Sequence, residues 1–388
     1  MCRSGIKEMV LILRILMIVS LSPLSLLAQM PRFEYHKIVE IGHQMGQTSL
    51  VDIDKDGDLD WVVGQANNIW WFEYAGPDRW IQHDLARGGS NRVGGCAFDI
   101  DGDGWIDQAS GSAWYRNTGK PRTETFEKFD NGAIRCHDNV AADIDGDGKL
   151  DVLACGDLSK QAWTVWYKIP PNPRDKWQQH KIGAGIHGGV GPNGVGDLDG
   201  DGDNDVVRGD VWFENLDGIG LKWKEHKDLI PPGGNRPDKY GLALKIWVID
   251  LDADGDNDVV EAEADCTDSR VFWFENQGKD KKWTCHLISP AHTKQDFHSL
   301  AVADLDNDGD PDVFSGGGPI SQTSYQCFIW ENLGKAKKWK QHLILEGKRC
   351  HEAKAADVDR DGDIDICSKP WNGNLHFYLR NMLIEDKK

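Results

Sequence analysis

Seven times along the chain, aspartates stand at offsets 0, 2, 4 and 8 with a glycine at offset 5. The seven sets are Asp52, Asp54, Asp56 and Asp60; Asp99, Asp101, Asp103 and Asp107; Asp143, Asp145, Asp147 and Asp151; Asp197, Asp199, Asp201 and Asp205; Asp250, Asp252, Asp254 and Asp258; Asp304, Asp306, Asp308 and Asp312; and Asp357, Asp359, Asp361 and Asp365. Hard oxygen donors on a sharply turning backbone are what Ca²⁺ prefers, so each set predicts a calcium loop, up to seven in all. An EF-hand is excluded. That motif ends on a glutamate at loop position 12 between helices, whereas here the last acid comes sooner and the flanking residues alternate like strands.

A second constellation is found by counting back from the loops. His137, His298 and His351 each lie six residues before a first loop aspartate, which predicts three imidazoles at one height. Arg135-Cys136-His137-Asp138 recurs as Arg349-Cys350-His351-Glu352. On an extended strand the arginine and histidine would share one side and the acid would take the other. These types suit an anionic or carbonyl-bearing sugar: arginine to neutralise a carboxylate, histidine to move a proton. The chemistry expected is elimination, with histidine or Lys245 as base, Arg135 and Arg349 stabilising developing negative charge, and His298 or His351 as the acid. His43, Arg92, His187 and Asn193 would line the same funnel, with Asp138 and Glu352 beside the histidines and Glu263, Asp265 and Trp371 reaching in from loops. Two other readings stand beside this one: the three histidines could hold a transition metal with an open coordination position, or could only satisfy backbone groups.

The loops must be positioned by something periodic. Their intervals are 47, 44, 54, 53, 54 and 53 residues, which suits one four-stranded propeller blade per repeat. In each repeat an alternating run leads into the loop and a short apolar run follows. Then comes an aromatic strand such as Trp212-Phe213, and a last strand usually reading W-x-x-H, as in Trp339 to His342. The final repeat lacks that last strand, and Phe33 to Ile38 fits its template ahead of the first loop. The fold expected is therefore all-β: a seven-bladed β-propeller closed by an N-terminal strand that completes the last blade. With the loops on the bottom, the crossovers and the starts of the inner strands converge at the top, the concave face that ligands prefer. Six histidines recur in the outermost strand, His36, His83, His180, His226, His286 and His342, and that regularity predicts packing or a strand-to-strand hydrogen bond.

D-x-D-x-D-G-x-x-D loops in repeats of this size resemble the FG-GAP or VCBS repeats of secreted propellers, the integrin α-subunit head among them, over about residues 33 to 381. The resemblance implies the fold and the calcium. For activity it implies a range: adhesion heads, lectin-like modules, and, by architecture alone, propeller enzymes such as polysaccharide lyases and the fungal aldos-2-ulose dehydratase. The reading is an exported propeller that binds carbohydrate in its top central funnel, acting as a sugar or polysaccharide lyase or dehydratase. The alternative is a non-catalytic glycan-binding or adhesion propeller.

Composition narrows the setting. Of 388 residues, 63 are Asp or Glu, and 28 of those sit at the loop offsets; seven divalent ions would bring the formal charge from −19 to −5. No basic run or face suggests a nucleic-acid partner. Residues 1–28, with Arg3 and Lys7 ahead of an apolar run interrupted by Arg14, read as a secretory signal peptide rather than a membrane span. The propeller would then fill residues 29–388 as a secreted, periplasmic or cell-surface domain. Nine cysteines fall to eight without Cys2. Cys136 with Cys155 and Cys350 with Cys367 stand at similar places in two repeats, so bridges across inner hairpins are one reading and buried small side chains the other. Gly183 to Gly188 matches G-x-G-x-x-G but opens no helix, Arg208-Gly209-Asp210 is an accident of common residues, and no HExxH, G-x-S-x-G or P-loop occurs.

Overall fold

The computed structural model describes residues 30–65, 67–88, 93–133, 136–156, 163–184, 189–236, 243–278, 281–290, 292, 294–322 and 324–386. Among these there is no helix; strands assemble into seven antiparallel sheets, one per repeat. The innermost strands are Gly46–Val51, Cys96–Phe98, Cys136–Ala142, the broken pair Pro192–Asn193 and Val195–Gly196, Ala243–Ile249, Ala301–Ala303 and Glu352–Ala356. In blade 4 the break lets Pro192–Asn193 leave its own sheet and pair in parallel with Ile246 and Trp247 of blade 5.

Each loop joins the innermost strand to the second, and every second strand opens on the offset-8 aspartate. The register explains why that residue is fixed. Asp60 accepts the Ile53 amide at 3.0 Å and the Tyr74 amide at 3.1 Å, tying the loop to the third strand. The same pair of bonds is made by Asp107, Asp205, Asp258, Asp312 and Asp365. Burial raises these carboxyls, Asp60 to about 9 and Asp312 to about 8, because a low-dielectric site disfavours the charged form.

The core is divided into seven wedges, one between each neighbouring pair of blades. Val260, Ala262 and Trp273 of blade 5 meet Val313, Phe328 and Trp330 of blade 6, and blade 7 packs on blade 1 through Ile38, Cys367 and Tyr378 against Trp61, Val63 and Trp70. The strand Phe33–Glu40 pairs antiparallel with Leu375–Asn381, Phe33 opposite Asn381, so the first strand of the chain is the outer strand of the last blade. Among the described residues no helix is long and apolar enough to cross a membrane. The eight cysteines present are all free, and Cys136, Cys155, Cys350 and Cys367 are buried, so the bridges give way to the small-side-chain reading.

The outer histidines do both things expected of them. His83, His226, His286 and His342 place Nε2 at 2.8, 2.7, 2.7 and 2.6 Å from Glu73, Glu214, Glu275 and Glu331 of the adjoining strand. His83, His180, His226 and His286 also stack on Trp71, Trp166, Trp212 and Trp273.

Candidate functional site

Where the inner strands converge lies a cleft lined by Thr48, Gly94, Asp138, Lys245, His298 and Lys354, among others, with Glu352 at its centre. Its empty volume, open to solvent on one side, is about 460 Å³.

The floor is an ionic network. Lys369 is fully buried and spends its three ammonium donors on the Met45 carbonyl, on His351 Nδ1 at 3.1 Å and on Glu352 Oε2 at 3.3 Å. Thr48 donates to the same Glu352 oxygen at 3.1 Å. Burial would raise the Glu352 carboxyl, but Lys369, Lys245 and Lys354 bring it down to about 2. Lys245 and Lys354 are less committed. Lys245 Nζ is 3.9 Å from Glu352 Oε1, beyond hydrogen-bond length, and among the described residues Lys354 has no ion-pair partner. Burial lowers the Lys354 ammonium.

The histidines lie around this floor. His298 and His351 stack with centroids 3.9 Å apart and planes 20° from parallel, and Trp371 continues the stack at 5.1 Å. His298 Nδ1 is 3.1 Å from the His351 carbonyl, and its Nε2 faces Asp265 at 3.4 Å. The two rings are driven apart in basicity. Burial opposes charge on His298, but Asp265 outweighs it and raises the imidazolium above its ordinary range, while burial and the neighbouring His298, Lys369 and Lys245 hold His351 well below. His137 Nδ1 lies 2.7 Å from Asp138 Oδ1, whose other oxygen accepts the Val190 and Gly191 amides at 3.2 and 3.0 Å. Against burial, His137, Lys245 and the Gly191 amide keep Asp138 well below the usual carboxylate range.

At the opposite face, the loop aspartates leave carboxylate oxygens buried without a hydrogen bond: Asp52 Oδ1, Asp252 Oδ1, both oxygens of Asp306, and Asp357 Oδ1. In at least three loops the offset-0, offset-2 and offset-8 acids bring one oxygen each within 4.8 Å of one another, as in Asp99, Asp101 and Asp107. Carboxylate oxygens without a donor, as both of Asp306 and Asp252 Oδ1 are, fit a hard divalent cation; in the clustered triads of blades 1, 2 and 3 a lysine or arginine already stands on the offset-2 acid.

The model of the FG-GAP-like repeat matches residues 52–110, 143–208 and 250–315, each match taking in two of the acidic loops. This chain carries FG-GAP-like repeats on a seven-bladed propeller. A lectin from Agrocybe aegerita, whose structure is described as recognising non-reducing terminal N-acetylglucosamine, superposes on it with a TM-score of 0.54 at 17% identity, covering 88% of this chain and 86% of that one. The Tc holotoxin pore of Photorhabdus luminescens matches at a TM-score of 0.40 and 14% identity, over 90% of the propeller but 14% of the toxin chain. The search of curated proteins finds no match.

The propeller brings together His137, Asp138, Lys245, His298, His351, Glu352 and Trp371 around one hub. It separates others. Arg349 is exposed on the rim, its guanidinium over Tyr325 at 5.0 Å and bonded to the Asn372 carbonyl. Its predicted place beside His351 requires extended backbone at 349–351, but the strand begins at Glu352. The acids do not turn away from the histidines either: Asp138 bonds its neighbour directly. Glu263 is buried and clamped by Arg270 Nε at 3.0 Å, Asn193 donates to the Val248 carbonyl at 3.2 Å, and His43 is exposed. Arg92, Arg135, His187 and the leader 1–28 lie outside the described residues. Arg208 is fully buried and bonded to Thr164, which takes the arginine of the Arg-Gly-Asp tripeptide off the surface. Sequence reasoning missed Thr48, Lys354 and Lys369. For Lys369 a signal existed: four residues after the last loop aspartate the other repeats carry Gly64, Gly111, Cys155, Gly209, Ala262 and Gly316.

Proposed function

We propose that this exported propeller binds an anionic carbohydrate in its hub cleft, with calcium held in loops on the opposite face. The observation that carries the reading is Lys354, an ammonium without an ion-pair partner among the described residues, lining a cleft with Lys245 above a Glu352 already neutralised by Lys369. A ligand carboxylate supplies the missing counter-charge, and the lectin-like fold of the Agrocybe protein is consistent with a sugar as its carrier. Trp371, half-buried at the mouth, offers a ring face to a pyranose. In the loops, the aspartates at offsets 0, 2 and 4 would hold the ion, which supplies positive charge that lets them stay ionised side by side.

A second reading, elimination on the bound sugar, is favoured by the raised basicity of His298, which keeps a proton to donate. Lys245, in its neutral form, takes the proton from the carbon beside the sugar carboxylate, because the acceptor nitrogen of His351 is already held by Lys369. The electron pair left behind forms the carbon–carbon double bond, the carbon–oxygen bond breaks, and His298 delivers a proton to the departing oxygen. Lys354 then occupies the charge-stabilising role expected of Arg135 and Arg349.

The test is affinity across a panel of acidic and neutral oligosaccharides, alongside ultraviolet absorbance for unsaturated products. Preference for acidic glycans that is lost in Lys354→Met supports binding, and product formation lost in His298→Gln supports elimination. Equal affinity for neutral and acidic sugars would overturn the anionic reading; acidic-glycan binding without product across the panel would leave the propeller a binding module.

A further inference from the structure

The seven loops share their acid pattern, but one equivalent position of the third strand changes sign among the blades. It is Arg116 in blade 2, Lys168 in blade 3 and Arg380 in blade 7, and Glu73, Glu214, Glu275 and Glu331 in the others. Where it is basic, the side chain reaches into the loop of its own blade. Arg116 places Nε at 2.5 Å from Asp101 and Nη2 at 2.5 Å from Asp103. Lys168 Nζ lies 2.7 Å from Asp145 and 2.6 Å from Asp147. Arg380 takes Asp359 at 2.7 Å and Asp361 at 3.2 Å. Blade 1 has an acid there but borrows a cation: Arg122, from the following repeat, sets one nitrogen 2.7 Å from Asp54, 2.6 Å from Asp56 and 3.0 Å from Glu73. In all four, a side-chain cation stands on the offset-2 and offset-4 carboxylates.

The loop of blade 6 is built the other way. Asp304 accepts the Asp308 and Gly309 amides and Asp308 accepts the Asp310 amide, so the turn is formed. Asp306 is 1% exposed, and neither of its carboxylate oxygens has a hydrogen-bond partner. Glu331, 3% exposed, is fixed from behind by His342 at 2.6 Å and Lys340 at 3.1 Å, and its charge acts on Asp306. No Lys or Arg among the described residues forms an ion pair with Asp304, Asp306, Asp308 or Asp312. A buried carboxylate with neither donor nor cation is costly unless something of opposite charge sits beside it.

We infer that the loops of blades 1, 2, 3 and 7 carry their own cation in place of a metal, and that the loop of residues 304–312 is a divalent-cation site completed by Glu331. This rests on the proposal that calcium is the loop ligand. One side-chain charge and one bound ion are thus interchangeable solutions to the same cluster of acids, and the residue in the third strand selects between them. Seven loops less four leaves at most three calcium ions per chain.

Equilibrium dialysis of the full chain against radioactive calcium counts the sites. Expected are no more than three ions bound, one fewer in Asp306→Asn, and one more in Lys168→Glu, which gives blade 3 the acid that blade 6 has. Glu331→Gln and Arg116→Glu repeat the loss and the gain should either first variant fail to fold, as read by circular dichroism. Binding of six or seven ions, or Asp306→Asn and Glu331→Gln both keeping the native count, would overturn the division of the loops. No bound calcium at all would overturn the calcium proposal itself, a distinct outcome because the count then falls to zero in every variant.

Discussion

The lower loops and the upper hub use the same kinds of residue, carboxylates and bases in close quarters, to opposite ends. Below, one solution is repeated: an offset-8 aspartate with both oxygens on backbone amides, and a histidine clasping a glutamate one strand further out. Above, the ionic network is built once. Lys369 and Lys354 each stand where other repeats have something else, and Glu352 is held by three blades at once through Thr48, Lys245 and Lys369. Repetition marks what every blade needs in order to fold; departure from it marks what the ring needs only once.

That contrast can be broken in four places. The largest effect is expected from Asp312→Ala, which strands the Leu305 and Asn332 amides now held at 3.0 and 2.8 Å. At about 1–3 kcal/mol per buried unsatisfied donor, urea unfolding should show a loss of roughly 2–6 kcal/mol; a loss below about 1 kcal/mol would mean that the repeated aspartate serves only the ion.

Acid comes next. His376 is fully buried, accepts the Trp61 indole N–H at 3.2 Å on Nδ1 and faces the Ile41 carbonyl with Nε2, and burial lowers it from 6.5 to about 3. The unfolded chain therefore takes the proton first, and stability falls as pH drops from about 6.5 toward 3, by about 2 kcal/mol at pH 5. Chemical denaturation as a function of pH should show this slope flattened in His376→Gln.

A smaller effect, and one confined to function, belongs to Lys354→Met: about tenfold weaker binding of an acidic oligosaccharide, near 1.4 kcal/mol. The melting temperature should hold or rise, since removing a buried ammonium relieves its desolvation. A fall of several degrees would move Lys354 to the structural side of the comparison. Least of all, His342→Gln loses the 2.6 Å contact to Glu331 on a half-buried strand and should cost about 1 kcal/mol in thermal melts.

The lower half was legible because period is a property of the sequence. Offsets gave the loops, the intervals gave blades, and the missing W-x-x-H strand located its replacement at Phe33 to Ile38. The hub was legible only in part. Counting back placed His298 and His351 at one level, and they do stack, but the same counting put Arg349 beside them because it treated residues before Glu352 as strand. Lys369 lies after its loop rather than before it, so a search of the inner strands passes over it, as it passes over His376 in the third strand. Which side chains meet at an axis depends on how far each blade leans in, and no single repeat encodes that.

The strand at Phe33–Glu40 is synthesised first and can be seated only when residues 375–381 exist, because its register partner for Phe33 is Asn381. Tyr35 and Ile38, which pack in the wedges beside blades 6 and 1, must wait through the making of six other blades. Closing so long a loop is slow and comes late. A ribosome stalled anywhere short of blade 7 thus releases a product with an orphan ribbon at its front, a ready target for a protease or a chaperone, and the finished ring is its own certificate that translation ran to the end of that blade.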